Sequence, residues 1–296
     1  MKRLCSLLLA GALLTVSAAA AYADSYSGSW NVFPEQLHDD VSAALTASGA
    51  PALPALPSPV EENAGFTCTM GYGAGQVTVK ISGAQGKPSA IDASLDTSKA
   101  TDAQAGQYGA ACGAIMKVLT PQADFDAAAA ALRLDSTSPS STADNLLAYY
   151  SGEVLLTNEI KSGSVRFSAI RYPDTVTGIG LVVNNRLLEL DVPPRIVDSR
   201  TLVPLRGIFE EIGAEVSWDQ PTQTATMTRG DSVVKVTIGS KAALVDGKEV
   251  ALDVPAQLSA PSGNARTLVP VRFIAESLGA QVGWLNSPQA VIVSNR

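Results

Sequence analysis

Histidine is nearly missing from this chain: among 296 residues only His38 carries an imidazole. A metal centre built on several histidines is thereby excluded. Basic residues are outnumbered, with 21 lysines and arginines against 28 acids and a formal charge of −7. Nucleic acid binding needs a basic face that exchanges counterions for phosphates, so no nucleic acid partner is expected. Cysteine is scarce, and none of the three falls in a Cys-x-x-Cys spacing that would hold a metal or cycle a disulfide. No apolar run reaches the roughly 20 residues that span a bilayer as a helix, and no transmembrane anchor is expected. What remains, 46% hydrophobic and 17% charged, suits one large or two modest globular domains.

The first residues read as an export leader. Met1-Lys2-Arg3 is basic, Leu4 to Val16 is apolar, and Ala21-Tyr22-Ala23 presents small residues where a leader peptidase reads them. Residues 1–23 are expected to be a signal peptide, cleaved before Asp24. Cys5 precedes most of the apolar run, unlike a lipoprotein cysteine, so lipidation is not expected. The chain is expected to be secreted or extracellular and associated with the cell envelope. In that oxidising compartment the remaining pair, Cys68 and Cys112, is expected to form a disulfide closing a loop of about 45 residues and contributing roughly 4 kcal/mol.

The strongest internal signal is a repeat. Arg200-Thr201-Leu202-Val203-Pro204-Leu205-Arg206 returns as Arg266-Thr267-Leu268-Val269-Pro270-Val271-Arg272, and Ile208, Glu210, Gly213, Ala214, Val216 and Trp218 match Ile274, Glu276, Gly279, Ala280, Val282 and Trp284. That is 12 identities in 19 positions at a spacing of 66. Leu190-Asp191-Val192-Pro193 returns as Leu252-Asp253-Val254-Pro255, which leaves four extra residues in the second copy around Pro261 to Asn264. In each copy, proline at a first helical position and an apolar stripe (Leu205, Ile208, Phe209, Ile212) predict a helix of about ten residues, stopped by a glycine in a left-handed cap. After each glycine the period becomes two, predicting a strand through Trp218 or Trp284. Asn184-Asn185 and Asp246-Gly247 predict hairpins. The two copies are placed at about 178–238 and 239–296.

This doubled motif resembles the copper amine oxidase N-terminal, or stalk, domain family, over about residues 178–296. The resemblance implies a small α+β module found on many exported proteins of Gram-positive-type bacteria, one that contains neither the copper nor the amine-oxidising site. The rest of the sequence agrees with that exclusion. An oxidase centre needs three histidine ligands and a tyrosine following an asparagine, and here there is one histidine and no Asn-Tyr pair.

Residues 24–174 show no repeat, and no family is recognised in them. Leu37, Val41, Ala44 and Leu45 predict a helix over about 34–48. Pro51, Pro54, Pro57 and Pro59 predict an extended linker over 51–59. Strands are predicted at 66–71, 76–82, 89–95, 154–158 and 164–172, and helices at 102–119 and 122–134. The expected fold class is α+β in two domains, 24–174 and 178–296, each with short helices packed on antiparallel sheet, the second built from the repeat.

Candidate chemistry is sparse. His38-Asp39-Asp40 reads as solvated helix polarity. Met70-Gly71-Tyr72-Gly73-Ala74-Gly75 lacks the Gly-Lys-Ser/Thr ending of a phosphate loop and reads as a turn. Ser232 and Lys235 have a Ser-x-x-Lys spacing, yet on a strand they point to opposite faces. Trp218 and Trp284 are expected to pack against their own helices. Arg206, Arg272, Glu210 and Glu276 form either helix-face ion pairs at i,i+4 or a recognition strip, and Trp30 is the expected exposed aromatic. No catalytic residue, metal or cofactor is expected. The expected function is a non-enzymatic binding or spacer protein whose partner is a cell-wall polymer or another exported protein. The alternatives are a secreted hydrolase using acids such as Asp92, Asp96, Asp124 and Asp126, or an inhibitor of a secreted enzyme.

Overall fold

The computed structural model describes residues 32–62, 65–73, 77–84, 87–120, 124–134, 145–161, 163–173, 176–260 and 265–295. Residues 1–23, expected to be a leader, Trp30, the expected connector at 136–141 and the extra residues 261–264 of the second copy lie outside them. The fold is α+β with several sheets, and the chain divides into two compact units, Met1–Asp174 and Thr175–Arg296. No helix among the described residues is long and apolar enough to cross a membrane.

The first unit opens with α1 (Pro34–Ala47) and continues through β1 (Val60–Glu62), β2 (Gly65–Tyr72), β3 (Val77–Ala84) and β4 (Lys87–Asp96). Next come α2 (Asp102–Leu119), α3 (Phe125–Ala131), β5 (Asn145–Ser151), β6 (Val154–Lys161) and β7 (Ser164–Arg171). The strands form one antiparallel sheet in the order β1-β2-β3-β4-β7-β6-β5. Leu37, Val41 and Leu45 of α1 are fully buried, as their spacing predicts. They share a core with Ala111 and Ile115 of α2 and Met70, Val79, Ile91 and Phe167 of the sheet. A capping box starts α2: Thr101 Oγ1 accepts from Gln104 N–H at 3.3 Å, and Gln104 Oε1 accepts from Thr101 N–H at 2.7 Å.

Two expectations for this unit are corrected. The proline-rich segment is no free linker, because Leu53 is buried, its N–H donates to Ser42 Oγ at 3.2 Å, and the Tyr72 hydroxyl donates to Pro51 O at 3.0 Å. The segment straps onto α1. Nor is there a disulfide: Cys68 on β2 and Cys112 on α2 are both buried thiols. Both face the same apolar core, but a bridge also needs close Cα atoms and opposed Cβ vectors, and sharing a core supplies neither. Burial, reinforced by the negative charge of Glu35, pushes the Cys68 thiol pKa up.

The second unit contains β8 (Gly180–Val183), β9 (Arg186–Leu187), β10 (Arg195–Val197), β11 (Arg200–Pro204), α4 (Leu205–Glu211), β12 (Glu215–Asp219), β13 (Thr224–Arg229) and β14 (Ser232–Thr237). The second copy supplies β15 (Ala242–Val245), β16 (Lys248–Ala251), β17 (Gln257–Leu258), β18 (Thr267–Pro270), α5 (Val271–Ser277), β19 (Gln281–Leu285) and β20 (Ala290–Ser294). These strands make three sheets, ordered β10-β11-β18-β17, β12-β13-β14-β15-β16 and β19-β20-β8-β9.

Every one of these sheets mixes the two copies. The hairpin β15–β16 of the second copy extends the sheet of the first, through β14. The hairpin β8–β9 of the first copy extends the sheet of the second, β8 lying parallel to β20. In the central sheet β11 meets β18 antiparallel with Leu202 opposite Pro270, Val203 opposite Val269 and Pro204 opposite Leu268. Val203 and Val269 are equivalent positions of the repeat, so this register is symmetric about that pair. Alternation along the two strands sends Val203 and Val269 into the main core and Leu202 and Leu268 into a smaller cluster with Val254.

Each helix ends as predicted. Gly213 and Gly279 both have φ of 80°. Ala214 N–H donates to Phe209 O and Gly213 N–H to Glu210 O, and Ala280 N–H and Gly279 N–H repeat the pattern to Ala275 O and Glu276 O. That is a Schellman closure in both copies. The helices begin differently from expectation: Pro204 and Pro270 end strands and precede seven-residue helical segments, the first of which is broken at Arg206 and Gly207. Pairing across β11 and β18 holds the prolines in the sheet, so the helices start one residue later.

Candidate functional site

The second unit carries two hollows, of about 770 and 820 Å³. The first is lined by Pro204, Leu205, Arg206, Val216 and Trp218 of the first copy and by Arg266 and Thr267 of the second. The other is lined by Pro270, Val271, Arg272, Val282 and Trp284 of the second copy and by Arg200 and Thr201 of the first. These are the same repeat positions, exchanged between copies, which is what pairing about Val203 and Val269 requires.

The charges follow the same exchange. Arg266 pairs with Asp191 at 2.5 Å, and Arg200 pairs with Asp253 at 2.7 Å. The leading arginine of one repeated motif thus meets the aspartate of the other motif in the opposite copy. All four side chains are largely exposed, between 45 and 70%, so each pair contributes between 0 and about 1 kcal/mol. Ile196 on β10 and Leu258 on β17, both exposed apolar side chains, line the second and first cleft respectively.

Each tryptophan stands half-buried on its strand, in contact with the core. Trp218 Nε1–H donates to Gln220 Oε1 at 2.9 Å, and Trp284 Nε1–H donates to Asn286 Oδ1 at 2.7 Å. The expectation that these rings pack into the domain therefore describes only part of their surroundings. Anchoring on one side makes each ring a fixed part of a cleft wall, suited to an amphipathic ligand.

The repeated arginines differ. Arg272 donates to Glu276 Oε1 at 3.2 Å, the expected i,i+4 pair, and also to Val282 O at 3.0 Å. The corresponding Arg206–Glu210 pair is not formed among the described ion pairs. Arg206 (ψ 162°) and Gly207 (φ 75°, ψ −36°) interrupt the helix, so the four-residue helical spacing that would bring the side chains together is lost. Glu276 lines the second cleft, whereas Glu210 lines neither.

The remaining candidates scatter. His38 is part-buried, its Nε2–H donating to Pro54 O at 2.7 Å and Nδ1 lying 2.9 Å from Asp39 Oδ1, so it ties α1 to the proline-rich strap instead of facing solvent freely. Asp92 is buried on β4 between Lys80 and Ser168 of the neighbouring strands. Asp96 accepts from the hydroxyl and N–H of Ser98, and these bonds, with Lys99 nearby, hold its carboxyl pKa below the usual range. Asp124 accepts from the Ser151 hydroxyl, and Asp126 is exposed. Ser232 and Lys235 lie on β14, as the sequence predicts. Among the described residues no group of three or more His, Cys, Asp or Glu side chains is placed to hold a metal.

A match to a known family falls on this unit. The family model described as "Copper amine oxidase N-terminal domain" matches residues 182–293. A primary amine oxidase of Klebsiella aerogenes is 43% identical over 54 residues, which are 18% of this chain and 7% of that enzyme. The match spans a small fraction of that relative's length. The copper chemistry in the family's name does not fit the donors here, because a chain with one histidine cannot supply a histidine-based copper site. On the strength of the family match, residues 182–293 of this chain form a copper amine oxidase N-terminal domain.

Proposed function

We propose that this is an exported, non-catalytic binding protein whose C-terminal unit recognises a cell-wall polymer or another exported protein through the two clefts. The observation that carries the reading is the recurrence of one set of side chains, tryptophan, helix-start arginine and arginine–aspartate pair, around two hollows. Recognition sites are built this way, from an aromatic anchor and a few oriented polar groups. Export rests on the leader pattern of residues 1–23. The partial match to an amine oxidase lends no oxidation chemistry, since the residues such chemistry needs are missing from the sequence.

The test is retention of cell-wall fragments and secreted proteins on the immobilised mature protein, with a Trp218→Ala/Trp284→Ala variant as control. Retention by the parent and its loss in the variant is the expected result. Retention of nothing by the parent overturns the binding reading, and equal retention by both proteins removes the clefts from it.

A further inference from the structure

The two clefts share a plan but not a state. In the second, Arg272 is held by Glu276 and by the Val282 carbonyl, and Phe273 occupies the position that is Gly207 in the first copy. In the first, Gly207 bends the chain with a positive φ, and Arg206 is exposed and makes no ion pair among the described residues. Both Arg206 and Trp218 line this hollow, and the indole N–H of Trp218 is already satisfied by Gln220. The other arginine there, Arg266, is engaged by Asp191.

We propose that the first cleft, and not the second, binds a carboxylate-bearing sugar, with Trp218 as the platform under the ring and Arg206 as the group that takes the carboxylate. This rests on the binding-module reading and names the ligand class for it. The guanidinium offers a planar fork of donors that matches a carboxylate, and it gives up no internal ion pair to do so. An indole with its own N–H occupied presents an apolar face, which suits the C–H face of a sugar ring. The nearby polar groups, Ser217, Gln223 and Thr267, are side-chain hydroxyls and an amide that can both donate to and accept from sugar hydroxyls. Glu189 also lines the wall, beyond ion-pair distance of Arg206. It opposes an anion and so limits affinity.

The experiment is calorimetric titration of the mature protein with short oligomers of galacturonate, glucuronate and N-acetylmuramic acid, with their methyl esters, and with a peptide bearing a free C-terminal carboxylate. At least one acidic sugar is expected to bind, and its methyl ester and the Arg206→Ala variant to weaken binding about ten- to a hundredfold, the worth of a hydrogen bond to a charged group. Arg272→Ala should change affinity by less than about twofold, and Glu189→Gln should tighten it. Equal losses for Arg206→Ala and Arg272→Ala, undiminished binding of the ester, or tighter binding of the peptide than of every acidic sugar would each overturn the assignment. If cell-wall or protein retention persists while no acidic sugar binds, the ligand class is wrong and the binding module stands. If neither is seen, both fail.

Discussion

Val203 and Val269 face each other at the centre of β11 and β18, and both are fully buried. Replacing either by alanine removes two methyl groups, about 1.6 kcal/mol of transfer free energy at roughly 0.8 per buried carbon. The unfilled space adds a cavity contribution, for a total of about 2–3 kcal/mol. Because the register is symmetric about this pair, Val203→Ala and Val269→Ala should cost the same to within about 0.5 kcal/mol, the usual error of such comparisons. The double variant should depart from additivity, since the two deletions open one shared cavity. A Trp30→Phe background leaves Trp218 and Trp284 as the only indoles, both in the second unit, so urea unfolding followed by fluorescence reports that unit. The slope against urea should not change. A cost above 2 kcal/mol for one valine with one below 0.5 for the other would refute the symmetric packing.

Gly207→Ala should destabilise the second unit by about 1–2 kcal/mol through the left-handed backbone alone, because no neighbour lies within 4 Å of the added Cβ; thermal unfolding measures it. Unfolding without reductant should leave Cys68 and Cys112 both open to alkylation, read by peptide mass. Because the folded thiol pKa of Cys68 lies above its unfolded value, its contribution is complete below about pH 8.5 and is lost as pH rises toward the folded pKa. Cys68→Ala should therefore flatten the alkaline limb of the stability curve. Asp96 is shifted the other way: its contribution is present above about pH 3.9 and is lost as pH falls through the lower folded value. Carboxyl carbon NMR should show that low midpoint, and Ser98→Ala should raise it.

Local structure was largely legible in the sequence. Apolar spacing marked α1, alanine-rich composition marked α2, glycines marked both helix ends of the repeat, and Asn184-Asn185 and Asp246-Gly247 marked their hairpins, since each signal is settled within a few residues. Long-range pairing was not. Nothing local in Gly180 to Val183 says that it will lie parallel to β20, and β5 was missed because Leu146 to Tyr150 lacks the alternation of a half-buried strand. The candidate arginines and tryptophans were found through the repeat. Their gathering into clefts was hidden because each cleft draws on both copies, so spacing within one copy could not show it. The Arg206–Glu210 pair failed for a local reason that was visible: glycine stands where the other copy has phenylalanine.

The central claim is that the second unit consists of two copies that complete each other's sheets. It is tested most directly by cutting the chain in the exposed turn at Gly239 and expressing residues 176–238 and 239–295 separately and together. Neither fragment alone should show dispersed amide resonances or cooperative unfolding, because each would lose the hairpin that the other contributes, and the mixture should recover both. A single fragment that folds cooperatively by itself would contradict the claim.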